Sequence, residues 1–166
     1  MTNKPMLAHK YDDSRVDWSK PVYIQPKLDG VRCLFTKHGA YSRTGKQFMN
    51  LRHIEKALKP LFDHQPNIIL DGELYNHKLK HDFEKIISLV RKQKPTDDDR
   101  SEAKKLVQFH VYDFFDEIQY DYYQARMHKL GVSDIYGTYI KYVQAYKVDN
   151  YDESRIYHKD FLNQGY

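Results

Sequence analysis

The sequence of 166 residues contains one cysteine, Cys33, and no long apolar run. A single cysteine excludes an internal disulfide framework and a cysteine-rich zinc site. No segment approaches the roughly 18 consecutive apolar residues that a membrane-spanning helix requires. The G-x-x-x-x-G-K-[ST] loop that cradles nucleotide phosphates is absent as well, so a nucleotide would have to be bound in another manner. These absences predict an intracellular protein of a reducing compartment with no membrane partner.

The charge balance is mildly basic, because 27 lysines and arginines oppose 23 aspartates and glutamates for a formal net charge of +4. An excess of this sign favours polyanionic partners such as nucleic acid. Fifteen tyrosines supply flat faces that can stack on bases, although most tyrosines in proteins are half-buried packing residues. The length predicts one domain.

Apolar periodicity and turn residues predict an α+β fold in which mixed or antiparallel sheets are flanked by helices. Residues 22–35 are typical of two short strands around the Asp29-Gly30 turn. The alternation of strands and helices is also compatible with a parallel α/β sheet, but these early hairpin-like connections favour the α+β class. Asn50 and Asn150 are predicted to cap helices. We expect further strands at 40–43, 67–75, 105–115 and 138–148, helices at 51–61, 83–90, 122–130 and from 150 to 163, and a charged surface loop at 94–104.

The segment Lys27-Leu28-Asp29-Gly30-Val31-Arg32 concentrates chemistry in six residues. An amine, a carboxylate and a guanidinium surround a glycine that permits a tight turn. This combination suits the anchoring of a phosphorylated ligand, and it also suits the use of the Lys27 amine as a nucleophile. A surface ion pair on a hairpin is the alternative explanation for a Lys-x-Asp triplet taken alone.

Further segments remove that ambiguity, because four elements together resemble the covalent nucleotidyltransferases: ATP-dependent DNA ligases, RNA ligases and mRNA capping enzymes. Residues 27–32 match the family's K-x-D-G-x-R signature, and Tyr41-Ser42-Arg43-Thr44-Gly45 matches the S-R-x-G element of DNA ligases. Leu70-Asp71-Gly72-Glu73-Leu74 matches their D-G-E-L element, and Val111-Tyr112-Asp113-Phe114 resembles the aromatic-Asp strand that follows. The four occur in the family's order between residues 25 and 114.

The resemblance implies that Lys27 attacks the α-phosphate of ATP to form a lysyl-AMP intermediate and release pyrophosphate. An unperturbed lysine has a pKa near 10.4, so nearby cations or a metal must favour its free-amine form. Arg32 and Arg43 are the implied phosphate-binding cations. Asp29 is the implied second catalytic residue, placed to hold the lysine or the water shell of a metal ion.

The remaining implied roles concern the nucleoside and the metal. Glu73 resembles the family glutamate near the ribose, and it is also the candidate ligand for Mg²⁺. Tyr112 occupies the position at which the family stacks an aromatic ring on adenine. Gln25 stands where DNA ligases often carry glutamate beside the adenine amino group, and this departure leaves purine recognition to other groups as well.

The resemblance favours an ATP-dependent DNA ligase of compact phage or viral type, which seals nicks in duplex DNA. The short segment before Lys27 has no room for a nicotinamide-binding domain, so ATP is the expected nucleotide. RNA ligase is the alternative within this chemistry, and a non-catalytic nucleic-acid-binding or interaction domain is the alternative from another class.

In DNA ligases an E-G strand, a K-x-K strand and an oligonucleotide-binding domain follow the elements found here. The sequence does not contain them, so we expect residues 1–166 to be a partial adenylation domain that is incomplete at its C-terminus. A further C-terminal segment or a second polypeptide would complete it. Without the two lysines of the K-x-K strand, we expect the 166 residues alone to be impaired or inactive.

Overall fold

The computed structural model describes residues 9–116 and 122–166, and these form an α+β fold with two sheets. The strands in this part of the chain are β1 (Val22–Ile24), β2 (Val31–Thr36), β3 (Gly39–Ser42), β4 (Gln47–Phe48), β5 (Ile68–Tyr75), β6 (Gln108–Asp116), β7 (Ile140–Tyr142) and β8 (Tyr146–Val148). Six of them form one sheet in the order β4-β3-β2-β5-β6-β7, antiparallel except for the parallel pair β6 and β7. The second sheet consists of β1 and β8. The predicted α+β class with mixed sheets is confirmed, and the fully parallel alternative is wrong.

Three helices, α1 (Arg52–His64), α2 (Phe83–Val90) and α3 (Asp97–Leu106), cover one face of the large sheet and create the core there. The other helices of the described ranges are α4 (Tyr123–Gly131), whose Arg126 contacts β6, and α5 (Tyr151–Gln164), which packs on β8. Apolar residues of α1, α2 and α3 pack in one buried cluster with those of β2, β5 and β6. Side chains alternate across a strand, so the residues between these core positions face the other side of the sheet. That second face holds the polar motif residues.

The expected hairpin around Asp29-Gly30 is wrong, because the two strands on either side of it belong to different sheets. β1 pairs with β8, with Val22 opposite Val148, whereas β2 pairs with β3 and β5. The single strand expected at 138–148 is likewise two strands, β7 and β8. Residues 143–145 carry the chain from the large sheet to the small one.

The charged stretch expected to be a loop at 94–104 is largely the helix α3. Thr96 caps it, since the Thr96 hydroxyl accepts from the Asp99 amide and the Asp99 carboxylate accepts from the Thr96 amide. Such a reciprocal capping box stabilises a helix start even where apolar periodicity is weak. Only Ala103 of this helix is fully buried, which explains why the apolar pattern did not indicate it.

The predicted caps have different outcomes. Asn150 caps α5 as expected and accepts a hydrogen bond from the Glu153 amide, and Gly165 ends that helix with a φ of 85°. Asn50, in contrast, does not cap α1, which begins after Leu51 without a side-chain cap. The buried Asn50 amide instead donates to the Leu89 and Asp99 carbonyls, and it thereby connects the start of α1 to α2 and α3. Among the described residues, no helix is both long and apolar enough to cross a membrane.

Candidate active site

Four motif residues lie together on the face of the large sheet opposite α1, α2 and α3. Arg32 of β2 stands directly across from Glu73 of β5, and Asp71 lies two residues before Glu73 on the same face. Tyr112 of β6 completes the group, with its phenolic oxygen 3.2 Å from the Glu73 carboxylate. Residues from three separate sequence motifs therefore form one polar cluster.

Tyr112 reaches this cluster because β6 contains a bulge. Asp71 pairs with Asp113 and the next residue, Gly72, pairs with Val111, so Tyr112 lies between two paired residues without a partner of its own on β5. An extra residue of this kind bends a strand and redirects its side chain, and bulges are frequent beside active sites. Here it places Tyr112 and Asp113 on the polar face in succession.

Arg32 and Asp71 form the most specific contact of the cluster. The Arg32 Nε and Nη2 atoms each donate to one carboxylate oxygen of Asp71 at 2.6 Å. Burial of Asp71 raises the pKa of its carboxyl, and the guanidinium opposes that rise. The same guanidinium lies 4.8 Å from the centre of the Tyr112 ring, within the range of a cation–π contact. Its Nη1 hydrogens are not used in either contact and are available to a ligand.

Glu73 has the most perturbed carboxyl of the cluster. Burial raises the pKa of Glu73 to about 7, against the opposing effects of the Tyr112 hydroxyl, Arg32 and Lys27. A carboxyl with this pKa exchanges its proton near neutral pH and ionises fully when a cation approaches. The contribution of Lys27 also places its ammonium group within electrostatic range of Glu73.

Lys27 lies on the loop between β1 and β2. The sequence had suggested that it lies on a strand. Its side chain and that of Asp29 are exposed, while Leu28 between them is buried against Tyr75 and Val143. Burial and the fields of Tyr166 and Asp29 raise the pKa of the Tyr75 phenol. The loop thus runs over β5, with Lys27 near Glu73 and Asp29 near Tyr75.

Glycines of two motifs allow close approaches beside the cluster, Gly30 between the Lys27 loop and β5, and Gly72 between β5 and β6. A Cβ atom on Gly30 would collide with the Leu74 carbonyl and lie 2.7 Å from the Glu73 Cγ atom. A Cβ atom on Gly72 would collide with the His110 carbonyl and lie 2.7 Å from the Phe109 ring. Both positions require glycine because neighbouring backbone occupies the space of a side chain.

The other two predicted site residues lie at the margins of the cluster. The Gln25 Nε2 atom donates to the Val143 carbonyl at 2.9 Å and reaches the Tyr112 carbonyl at 3.4 Å, so this amide connects the β1–β2 loop to β6. Arg43 is exposed in the turn between β3 and β4, and it forms no hydrogen bond or ion pair with residues 9–116 or 122–166. The structure does not bring Arg43 into contact with the cluster.

A cavity of about 980 Å³ opens beside the cluster. Gln25, Arg32, Asp71 and Tyr112 line it, whereas Lys27, Glu73 and Arg43 do not. Its far wall is formed by aromatic and cationic side chains of the two sheets and α4, namely Lys20, Tyr23, Phe115, Tyr122, Tyr123 and Arg126. The volume and the aromatic lining are typical of a site for a molecule of nucleotide size.

Sequence reasoning missed a second arginine–aspartate pair in this wall. Arg126 of α4 donates from Nε to Asp113 Oδ1 at 2.7 Å and from Nη2 to Asp113 Oδ2 at 2.9 Å. Asp113 is the cross-strand partner of Asp71, so two adjacent carboxylates are each held by an arginine from a different element. An aspartate inside an otherwise aromatic strand was the available signal for this pair.

Within the described residues, no group of three or more histidine, cysteine, aspartate or glutamate side chains is arranged to hold a metal ion. Mg²⁺ commonly keeps several waters and binds through one or two carboxylates together with the phosphates of a substrate. Glu73 is the side chain of the cluster best suited to that role.

The same fold is found in DNA ligases of known structure. A Chlorella virus DNA ligase-adenylate aligns with a TM-score of 0.70 and 20% identity over 99% of this chain and 57% of the viral chain. The ATP-dependent DNA ligase of bacteriophage T7 in complex with ATP aligns with a TM-score of 0.56 and 17% identity over 82% of this chain and 52% of the phage chain. The fold is therefore that of the nucleotidyltransferase domain of DNA ligases.

Sequence comparison then identifies the family. The model of the ATP-dependent DNA ligase domain matches residues 5–166, and the chain belongs to that family. A DNA ligase of African swine fever virus is 30% identical over 154 residues, which are 86% of this chain and 34% of the viral protein. The chain thus spans about a third of the length of the curated relatives that it matches.

Proposed function

We propose that this chain carries the lysine-adenylation step of an ATP-dependent ligase that seals nicks in duplex DNA. The observation that supports the proposal most directly is the position of the Lys27 loop above Glu73, next to a nucleotide-sized cavity lined by Arg32 and Tyr112. The named DNA ligases among the relatives favour DNA over RNA as the polynucleotide. The buried, unpaired Cys33 agrees with a reducing, intracellular setting.

In the proposed step, the free amine of Lys27 attacks the α-phosphorus of ATP. A phosphorus–nitrogen bond forms to AMP, the bond from the α-phosphorus to the bridging oxygen breaks, and pyrophosphate leaves with the electron pair. The amine loses its proton to solvent or to a nearby carboxylate. Catalysis of such a transfer is mainly alignment and neutralisation of charge on the phosphate oxygens.

The other side chains have supporting roles in this proposal. Arg32 is held by Asp71 in a fixed orientation and presents its remaining donors to phosphate oxygens, while Tyr112 supplies a ring face for adenine. Glu73 would hold Mg²⁺ together with the substrate phosphates, and the bound ion would supply positive charge to the departing pyrophosphate. Asp29 would position Lys27 or the water shell of the ion. Arg43, exposed at the edge of the sheet, would bind phosphate once the polynucleotide is present.

Two later steps would follow in the complete enzyme. AMP would pass from Lys27 to the 5′-phosphate of the nick, and the 3′-hydroxyl would then displace AMP. We propose that residues 1–166 supply part of the adenylation domain and that a further segment or a second polypeptide supplies the rest. Labelling by the 166 residues alone should therefore be slow.

The test is incubation with α-labelled ATP and Mg²⁺, followed by mapping of the labelled peptide. It is run on the 166 residues and on a chain extended by a K-x-K segment of the family. We expect label on Lys27, abolished by Lys27→Ala and retained in Lys37→Ala, which removes an exposed lysine of the β2–β3 turn. Label that survives Lys27→Ala, or no label from either chain, would contradict the proposal.

A further inference from the structure

A second cavity, of about 700 Å³, lies between α1 and α3 on the helical side of the large sheet. Four cationic side chains line it: Arg52 and Lys56, one turn apart on α1, and Arg100 and Lys104, one turn apart on α3. No carboxylate of the described residues belongs to its lining. The cavity is thus a concave surface with charge of one sign.

These four cations lack the ion pairs that neighbouring lysines form. Lys59 of α1 pairs with Asp63, whereas none of the four is paired with a carboxylate in the part of the chain that the structure describes. Like charges one helical turn apart destabilise a helix, and here two such pairs face one space. Arg100 donates to the Met49 carbonyl, which orients its guanidinium. The Glu55 carboxylate acts on Arg52 and Arg100 only through its longer-range field, and it lies outside the cavity lining. An anion in the cavity would remove this repulsion.

The cavity lies at the same end of the sheet as the Lys27 loop. Tyr139 lines it, and the Tyr139 carbonyl accepts from the Phe109 amide. Phe109 is the cross-strand partner of Leu74, and Leu74 in turn touches Gly30 of the Lys27 loop. Three strand spacings, about 14 Å, separate the two places along the sheet, and they lie on its opposite faces at this one end. One turn of duplex DNA extends about 34 Å, so a duplex that passes across this end of the sheet can contact both.

We propose that this basic cavity binds backbone phosphates of the duplex whose nick the Lys27 site serves. The inference rests on the proposed function and extends it, since it assigns a DNA contact to residues outside every ligase motif of the sequence. Cations on two helices, spaced one turn apart, suit successive phosphates of a strand and read no base sequence. Lys56 and Lys104 act as point charges there, and the two arginines can hold phosphate oxygens in pairs.

The experiment measures binding of the 166-residue chain to a fluorescent nicked duplex, without ATP, across a range of salt concentrations. The test variant is Lys56→Gln/Lys104→Gln. The matched control is Lys59→Gln/Lys147→Gln, which removes the same charge from exposed lysines that pair with Asp63 and Asp149. The slope of log K against log salt is negative, and each lost phosphate contact reduces its magnitude by about 0.9. We expect the magnitude to fall by about 1.8 in the test variant and by less than half as much in the control. The same result is expected on duplexes of unrelated sequence.

Four results would overturn the inference. The first three are equal slope changes in the two double variants, no change in either, and no binding by the wild-type chain. The fourth is displacement of the duplex by inorganic phosphate at constant ionic strength, because the cavity would then be a free-anion site. Thermal unfolding of each variant confirms that all are folded. Failure of the proposed function has a separate signature, the absence of AMP on Lys27.

Discussion

Tyr112 donates its phenolic hydrogen bond to Glu73, which connects the aromatic strand of one ligase motif to the carboxylate of another. The same Glu73 lies within the fields of Arg32 and Lys27. A single carboxyl therefore responds to three of the residues to which we assign nucleotide contacts. The pKa of Glu73 therefore reports whether Tyr112, Arg32 and Lys27 are in place around it.

Glu73→Gln should change the pH dependence of stability. Burial raises the pKa of Glu73 from 4.5 to about 7, so the folded state holds a proton that the unfolded state releases. The stability that Glu73 contributes is fully present below pH 4.5 and is lost as the pH rises through 7. The full shift corresponds to at most about 3 kcal/mol.

The measurement is urea unfolding of the wild type and Glu73→Gln at several pH values between 4 and 8. We expect the wild-type free energy of unfolding to fall relative to that of the variant across this interval. A parallel course of the two curves would show that the Glu73 carboxyl is not perturbed in solution.

Tyr112 substitutions should separate the ring from its hydroxyl. Base–aromatic stacking is worth about 1–3 kcal/mol, which corresponds to a roughly 5- to 150-fold change in dissociation constant. We expect Tyr112→Ala to weaken ATP binding by a factor in this range and Tyr112→Phe to preserve it. Tyr112→Phe should nonetheless raise the pKa of Glu73 further, because it removes a hydrogen bond to the ionised carboxylate.

Titration calorimetry with ATP and NMR of the Glu73 carboxyl carbon measure the two effects independently. Equal ATP affinity of the folded alanine variant and the wild type would rule out stacking on Tyr112. An unchanged Glu73 pKa in Tyr112→Phe would contradict the hydrogen bond.

Gly72→Ala should destabilise the fold although it adds one methyl group. The new Cβ atom would meet the His110 carbonyl and the Phe109 ring in the middle of the β5–β6 pair. Overpacking of this kind costs about 1–3 kcal/mol. The control is Gly137→Ala, where a Cβ atom meets nothing within 4 Å. Denaturant unfolding should show the loss in Gly72→Ala alone, and equal stability of the two variants would contradict the close approach.

The sequence predicted those parts of the fold that depend on local pattern. The helices α1 and α2 appear where apolar spacing placed them, because each buries one regular face. The strand β5 appears where a short apolar run placed it, because it is buried along almost its whole length. The pairing of β1 with β8 was not predictable in this way, since it joins Val22 to Val148 across more than a hundred residues. The helix α3 depends on its cap at Thr96 and buries almost nothing, so periodicity contained no signal for it.

At the site, the sequence indicated which residues take part but not which residues they contact. Motif matching located Lys27, Arg32, Glu73 and Tyr112, and the structure brings three of them into one cluster with the lysine close by. It did not indicate that Arg32 binds Asp71 at both carboxylate oxygens. Such partners follow from strand register, which depends on the whole sheet rather than on any one segment.

The bulge at Tyr112 divides β6 into two halves of opposite phase. Before it, the odd-numbered Phe109 and Val111 are buried, and after it the even-numbered Phe114 is buried. Deleting either Tyr112 or Asp113 would restore a regular ladder and keep Val111 and Phe114 in the core, but the polar face would then hold one side chain where the bulge supplies two. Either the ring beside Arg32 or the carboxylate that holds Arg126 would be lost. The number of residues between Val111 and Phe114 is therefore under the same constraint as their identity.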